Sequence, residues 1–518
     1  MKLVLTLLFF TTSWVVAQAA EAVPRLPAGY SLELVASAPM VTSPVLCVWD
    51  GNGRMYVAQW QAGLHDSATK NATCSVVRLE DTNGDGLMDE RTLFASNLTF
   101  PRMILPLDDC ILIGESHTND IFAHRDTDGD GIADEKTLWY QGGSREGHIF
   151  EQPSGLIWAI DNYIYTTRND FRFRFTNGQV IKENTLPNRG QWGLTQDNYG
   201  KVIFCDAKSG PVHWLFPHTY TDWFPHRALE NGFQKLPLSN SFTATCGQAV
   251  FRGDRLPPDF QNNLVFSDST ARITRRARID YDAMGRPEMR NFYPGSEFIR
   301  SADPHFQPVN AATGPDGTLY LIDRQGNRDQ KAKTGRIYRL RHQNFKPGPR
   351  PNMLNETSTQ LAIHLTHPNG WWRDEAQKLL VLKNDRSVIP ALRKLLFTHK
   401  NPLTRLHALW TLEGLDAIEP DVMKAAFDDT DPHLRAAMIR IFEPYFLAES
   451  DALLSLTDLT REKAHQVQTQ LLLSLSRIPG EKSRAIAGAV LANDRQNTFL
   501  KELDQHLTRR TKINQPVK

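Results

Sequence analysis

One recurring unit constrains this chain more than any other feature: a short apolar strand that carries a basic or aromatic residue. It is read as VVRL from Val76, IFAH from Ile121, FRFRF from Phe171, VHWL from Val212, ITRR from Ile273 and IYRL from Ile337. The starts lie 41 to 64 residues apart, too far for single strands of a sandwich and suited to four-stranded repeats with variable loops. A second echo runs beside it in WDGNGRMYVA from Trp49, AIDNYIYTT from Ala159, QDNYGKVIFCD from Gln196 and GPDGTLYLID from Gly314. Each is a D/N/G tight turn followed by an alternating strand, the hairpin signal. The spacing predicts an all-β six-bladed β-propeller over residues 30–343.

The texture changes at the Pro-rich stretch 344–355. Beyond it, Leu- and Ala-rich segments take helical spacing. Arg373, Arg405 and Arg435 each sit just inside a helix that follows an Asn or Asp turn, 32 and 30 residues apart. A polar N-cap, a helix, a short loop and a second helix, repeated, is the pattern of HEAT-type (ARM-type) helical repeats, expected over residues 356–507 with a polar tail at 508–518.

At the N-terminus Lys2 precedes an apolar run over residues 3–16 and then Ala17-Gln18-Ala19, the small-x-small pattern cut by signal peptidase. Residues 1–19 are therefore expected to be a signal peptide, and the product periplasmic or secreted, with no transmembrane segment in the mature chain. A net charge of +1 from 59 Lys+Arg and 58 Asp+Glu gives no global basic field, which argues against a nucleic-acid partner. The five cysteines lack C-x-x-C-H or C-x-x-C spacing, excluding attached haem and zinc ribbons. Export permits one or two disulfides; five buried thiols account for the sequence equally well.

Two segments, DTNGDGLMDE from Asp81 and DTDGDGIADE from Asp126, look like halves of a calcium loop. Asp81, Asn83, Asp85 and Asp89 in the first, and Asp126, Asp128, Asp130 and Asp134 in the second, place oxygen ligands at positions 1, 3, 5 and 9, with the Leu87 or Ile132 carbonyl at position 7. Position 12 is Thr92 or Thr137, so neither is an EF-hand, and the expected role of calcium is structural. The bland alternative is an acidic hairpin turn left in water.

The segments LEDTNGDGLMDERTLFASNLTFP, QWGLTQDNYGKVIFCD, GQAVFRGDRLPPDFQNNLVFSD and EFIRSADPHFQPVNAATGPDGTLYLID resemble the membrane-bound dehydrogenase family of PVC-type bacteria, and NGWWRDEAQKLL resembles the start of that family's HEAT region. Many relatives end in a c-type cytochrome; this chain carries no C-x-x-C-H, so the resemblance implies a separate electron acceptor or no redox chemistry. The propeller half is more distantly similar to soluble quinoprotein (PQQ-dependent) glucose dehydrogenases. That similarity implies His148 as general base, Asp170 as its orienter, Arg189 as a cofactor contact, and Gly210 and Pro211 as carbonyls beside a cofactor calcium. It also marks a deficit, because the family's Lys falls at Thr270 and its Arg pair at Gln307 and Val309, with Arg272, Arg324 and Arg328 as candidate substitutes. Two functions follow: an oxidoreductase acting on a sugar or alcohol, or a calcium-stabilised scaffold that binds a glycan in the propeller and a partner protein in the helical groove.

Overall fold

The computed structural model describes residues 24–61, 73–185, 190–205, 212–216, 219–220, 242–325, 334–448, 456 and 458–513. The proposed signal peptide, Arg189, Gly210, Pro211 and Arg328 lie outside these residues.

The N-terminal domain is sheet-rich and antiparallel. The strands Pro44–Trp49, Met55–Gln59, Cys74–Glu80 and Glu90–Leu98 make one four-stranded sheet in chain order. An eight-stranded sheet follows, two such units joined by a parallel pairing of Gly155 with Met103. Two further sheets occupy 194–220 and 245–300. In the last sheet the N-terminal strand Tyr30–Ser37 pairs with Arg336–His342, so the two ends of the domain are hydrogen-bonded together. The innermost strands Pro44–Trp49, Met103–Pro106, Gly155–Trp158, Leu194–Gln196, Thr245–Val250 and Pro308–Thr313 contact one another in a closed cycle, which makes the domain a ring.

Both sequence echoes have a structural counterpart. The turns of the second echo close with Gly53, Asn162, Gly200 and Gly317 at positive φ, the conformation that Gly and Asn tolerate. In the first echo Arg172, Arg275 and Arg339 are buried, where each needs a counter-charge: Arg172 pairs with Glu183 at 2.9 Å, Arg275 with Glu297 at 2.9 Å and Arg339 with Asp316 at 3.2 Å. All five cysteines are buried and unbridged.

The C-terminal region is helical: α1 (Ser358–His364), α2 (Gly370–Lys383), α3 (Ile389–Thr398), α4 (Pro402–Gly414), α5 (Pro420–Phe427), α6 (Pro432–Ala448), α7 (His465–Arg477), α8 (Glu481–Asn493) and α9 (Thr498–Ile513). The three arginines marked in the sequence make one and the same bond pattern. Arg373 donates to the carbonyls of His367 and Pro368, Arg405 to those of His399 and Lys400, and Arg435 to those of Asp429 and Thr430. Asn369, Asn401 and Asp431 cap the same helices by accepting from the N–H two residues on.

The layer of α2, α4, α6 and α7 faces the ring and docks on the turns of the second echo. Gln377 donates to the Ile160 carbonyl at 2.7 Å, Trp372 to the Pro315 carbonyl at 2.7 Å, and Asn162 to the Trp410 carbonyl at 2.7 Å. His433 stacks on Tyr199 with ring centroids 3.6 Å apart, and Arg477 pairs with Glu183 at 2.9 Å. No helix among the described residues is long and apolar enough to cross a membrane.

Burial also predicts a pH response. Desolvation, aided by Lys136, holds His124 down to about 4; desolvation with His364, Arg373 and Arg255 does the same for His367; and burial keeps His407 well below the ordinary value of 6.5. The unfolded chain therefore binds more protons than the folded one as pH falls below 6.5, and stability present above that value is lost on acidification towards pH 4. Thermal unfolding at pH 7 and pH 4.5 is expected to give a lower Tm in acid, with a smaller drop for His407→Gln. An unchanged Tm across that range contradicts the burial of these rings.

Candidate functional site at the mouth of the ring

A cavity of about 600 Å³ opens where the innermost strands begin. The residues just before or at those strand starts supply its wall: Leu46, Arg102, Ser154, Trp192, Ala244 and Val309. Trp60, Arg272, His305 and Arg324 enter from the loops between, and Phe150 from the 3-10 turn Ile149–Glu151. A second cavity of about 260 Å³ continues along the axis to the opposite end, where Trp371, Asp374, Glu375 and Lys378 of α2 form its floor. Lys378 is fixed there by donating to the Pro106 carbonyl at 2.6 Å and pairing with Glu375 at 2.7 Å.

The mouth cavity is electropositive. Its described lining contains three arginines and a histidine and no Asp or Glu. Arg102 is 2% exposed, donates to the Ile149 and Gln191 carbonyls, and lays its guanidinium 4.3 Å from the Trp192 ring centre. Burial, with Arg168 and Arg145 nearby, pushes its pKa down to about 9. Arg324 donates Nε–H to Ser43 Oγ at 2.9 Å and is likewise lowered by burial. Thr270, Gln307 and Val309, where the quinoprotein resemblance puts cations, do line this cavity, while the charge comes from Arg102, Arg272 and Arg324.

His148 and Asp170 stand elsewhere. Both are exposed. His148 caps the turn beside the cavity, its Nδ1 accepting from the Phe150 N–H at 3.3 Å. No hydrogen bond or ion pair joins it to Asp170, whose carbonyl accepts from Thr185 N–H at 2.6 Å. His305, which sequence reasoning gave no role, is the histidine in the described wall. Arg102, Trp60 and the site role of His305 are not legible in the sequence, because single residues flanking a strand carry no spacing signal.

The two acidic loops fold alike. Asp81 accepts from the N–H of Gly84 and Gly86 at 2.7 Å each, and Asp126 from those of Gly129 and Gly131 at 2.8 Å each. A side chain at Gly86 or Gly131 would strike the guanidinium of Arg339 or Arg78, arriving from the neighbouring sheet. Carboxylate oxygens of Asp126, Asp128 and Asp130 lie within 4.8 Å of one another. Asn83 replaces the middle one in the first loop. Asp89 and Asp134 instead accept from the Thr82 and Thr127 hydroxyls at 2.9 and 2.7 Å. Leu87 and Ile132 stand exposed, their N–H groups bonded to Asp85 and Asp130.

Residues 17–344 match the family model described as a domain of unknown function, DUF7133. The chain belongs to this family. The DUF7133 region thus spans the ring and stops before the helices. No curated protein matches the sequence. Solved structures similar to the DUF7133 ring include a glucose dehydrogenase (12% identity, 60% of this chain and 99% of that one, TM-score 0.41), a luciferin-regenerating enzyme (14%, 62% and 98%, 0.40) and the holo PQQ domain of pyranose dehydrogenase from Coprinopsis cinerea (11%, 62% and 98%, 0.38).

Proposed function

We propose that this protein is an exported oxidoreductase-like six-bladed propeller, backed by HEAT-type repeats, that acts on a sugar or alcohol in the mouth cavity. The reading rests on one observation: an axial cavity whose described wall joins aromatic faces to arginines and contains no carboxylate. It agrees with the resemblance to PVC-type membrane-bound dehydrogenases, with a separate protein as electron acceptor.

A cofactor of the PQQ class is a flat tricarboxylate, and the charge and shape of this wall fit such a group. Arg272 and Arg324 would hold carboxylates through charge-assisted hydrogen bonds, and Arg102 would contribute its charge from behind Trp192. When bound, such a quinone supplies a two-electron acceptor. Trp60 and Trp192 offer flat apolar surfaces for a ring, and they narrow the space left for water. We assign the acceptance of the substrate hydroxyl proton to His305, which lines the cavity; His148, one turn outside it, is the competing assignment. Arg189, Gly210 and Pro211 stay candidates for the cofactor side of the site, and Asp170 for the rim.

The second reading is a calcium-stabilised scaffold binding a glycan in the cavity, and the three clustered carboxylates of Asp126, Asp128 and Asp130 favour its calcium. Since the inner helical layer packs on the ring, we place a protein partner of this scaffold on the outer helices.

Titration of metal-stripped protein with PQQ and calcium, followed by tryptophan fluorescence, separates the two. Saturable one-to-one binding that Arg324→Ala weakens by about tenfold or more supports the dehydrogenase, and turnover lost in His305→Ala but kept in His148→Ala assigns the base. Absent binding, with a calcium-dependent rise in Tm that Asp128→Ala removes, supports the scaffold.

A further inference from the structure

Almost every buried arginine in this protein is ion-paired: Arg172 with Glu183, Arg252 with Asp374, Arg275 with Glu297, Arg339 with Glu33, Arg440 with Asp161. Arg373 of α2 is satisfied by backbone carbonyls and Asn198 instead, and a group of arginines without ion pairs, from buried Arg102 and Arg324 to exposed Arg272, gathers at the mouth. Arg102, Arg145, Arg168, Arg272 and Arg324 form no ion pair with any described residue. Arg102 and Arg145 grip the turn Ile149–Glu151 from its two sides, the first donating to the Ile149 carbonyl and the second to that of Glu151 at 3.0 Å. Arg145 also donates to the Arg168 carbonyl at 2.8 Å, and the charges of Arg145 and Arg168 both bear on Arg102. Exposed Glu151 and Asp170 act on Arg145 from the solvent side without pairing to it. The Nε–H groups of Arg102 and Arg168 are buried without an acceptor. Arg168 and Arg272 are held at φ 57° and 56°, a strained conformation for arginine that glycine or asparagine would relieve.

Uncompensated like charge in a half-dry cavity is costly, and an anion brought in by a ligand relieves it. Trp192, sandwiched against Arg102, and Trp60 add flat apolar faces suited to the C–H face of a sugar ring. We propose that the mouth selects saccharides bearing an anionic group, a carboxylate or a sulfate ester, over neutral sugars. The inference rests on reading the cavity as a sugar site and deepens it: Arg272 and Arg324 meet the saccharide's anion when no quinone holds them, and the Arg145–Arg168 pair guides it at the rim.

The test measures binding by tryptophan fluorescence and calorimetry with D-glucuronate, glucose 6-sulfate and glucose, each with and without PQQ, so that no turnover is required. Without PQQ, both anionic sugars, or one of them, are expected to bind about tenfold or more tightly than glucose, with affinity falling as salt rises from roughly 50 to 500 mM, and PQQ bound on the same arginines is expected to shrink the preference. The tighter of the two names the anion. Arg324→Gln and the exposed-site Arg272→Gln are expected to erase the preference, whereas Arg278→Gln, far out on the strand Ile273–Tyr281, leaves it intact. If Arg324→Gln fails to fold, Arg272→Gln alone decides. Equal binding of charged and neutral sugars without PQQ, or no sugar binding, overturns the inference, even where PQQ itself binds. Selective anionic-sugar binding without any PQQ binding upholds it while sinking the quinone reading.

Discussion

Asp161→Ala is expected to cost about 3–5 kcal/mol of unfolding free energy, the range for removing one partner of a buried ion pair. Asp161 is 1% exposed and sits in the turn that begins the strand Tyr163–Thr166. Its Oδ2 accepts from Tyr165 Oη at 2.7 Å, meets Arg172 at 3.5 Å, and pairs with Arg440 of α6 at 2.5 Å. Alanine would leave Arg440 buried against Trp410 without that carboxylate, while Arg172 falls back on Glu183. Because Arg440 belongs to the helical layer and Arg172 to the ring, the loss should also loosen the two domains. Calorimetry is expected to show a lower Tm and a split transition, with Asp161→Asn intermediate because it keeps hydrogen bonds but not charge. A change below about 1 kcal/mol, the size of a surface pair, would refute the network's burial.

Glu297→Ala should be comparably damaging inside the ring, again about 3–5 kcal/mol. Arg275 and Glu297 side chains are 0% and 1% exposed and form a bidentate pair, Nε and Nη2 each 2.9 Å from a carboxylate oxygen. The guanidinium also lies 5.0 Å from the Phe242 ring centre, so it has little water to turn to. The same desolvation makes the pair replaceable as a unit: Arg275→Met with Glu297→Leu is expected to recover most of the loss, since two charges need no longer be stripped of water. Urea midpoints of the two single variants and the double variant complete the cycle. A double variant as unstable as the sum of the singles would mean that shape, not charge, governs this site.

Local chemistry made much of the fold legible. The D/N/G turns were readable because a two-residue hairpin needs positive φ, and Gly53, Asn162, Gly200 and Gly317 provide it. Arg373, Arg405 and Arg435 were readable because each bonds carbonyls five and six residues back, a contact wholly within one repeat. The candidate site was less legible. The substitutes Arg272 and Arg324 follow from the resemblance, but Arg102, Trp60 and Trp192 carry no signal of their own, and no hydrogen bond or ion pair joins His148 to Asp170.

The amino-acid sequence by itself determined where strands, turns and helix caps fall, because those depend on backbone conformations set within a few residues. It also determined that the third strands carry arginines. Only the tertiary structure decided which of those arginines find carboxylates, because strand pairing sets the partners: Glu183 faces Arg172 and Glu33 faces Arg339 across neighbouring strands, the latter from the opposite end of the domain. The same holds for the hairpin turns, which are ordinary in isolation and become the docking surface of the helical layer only when the ring closes. The mouth cavity follows the same logic: cations far apart in the chain are gathered by the ring around one axis, and their unpaired charge exists only in that assembly.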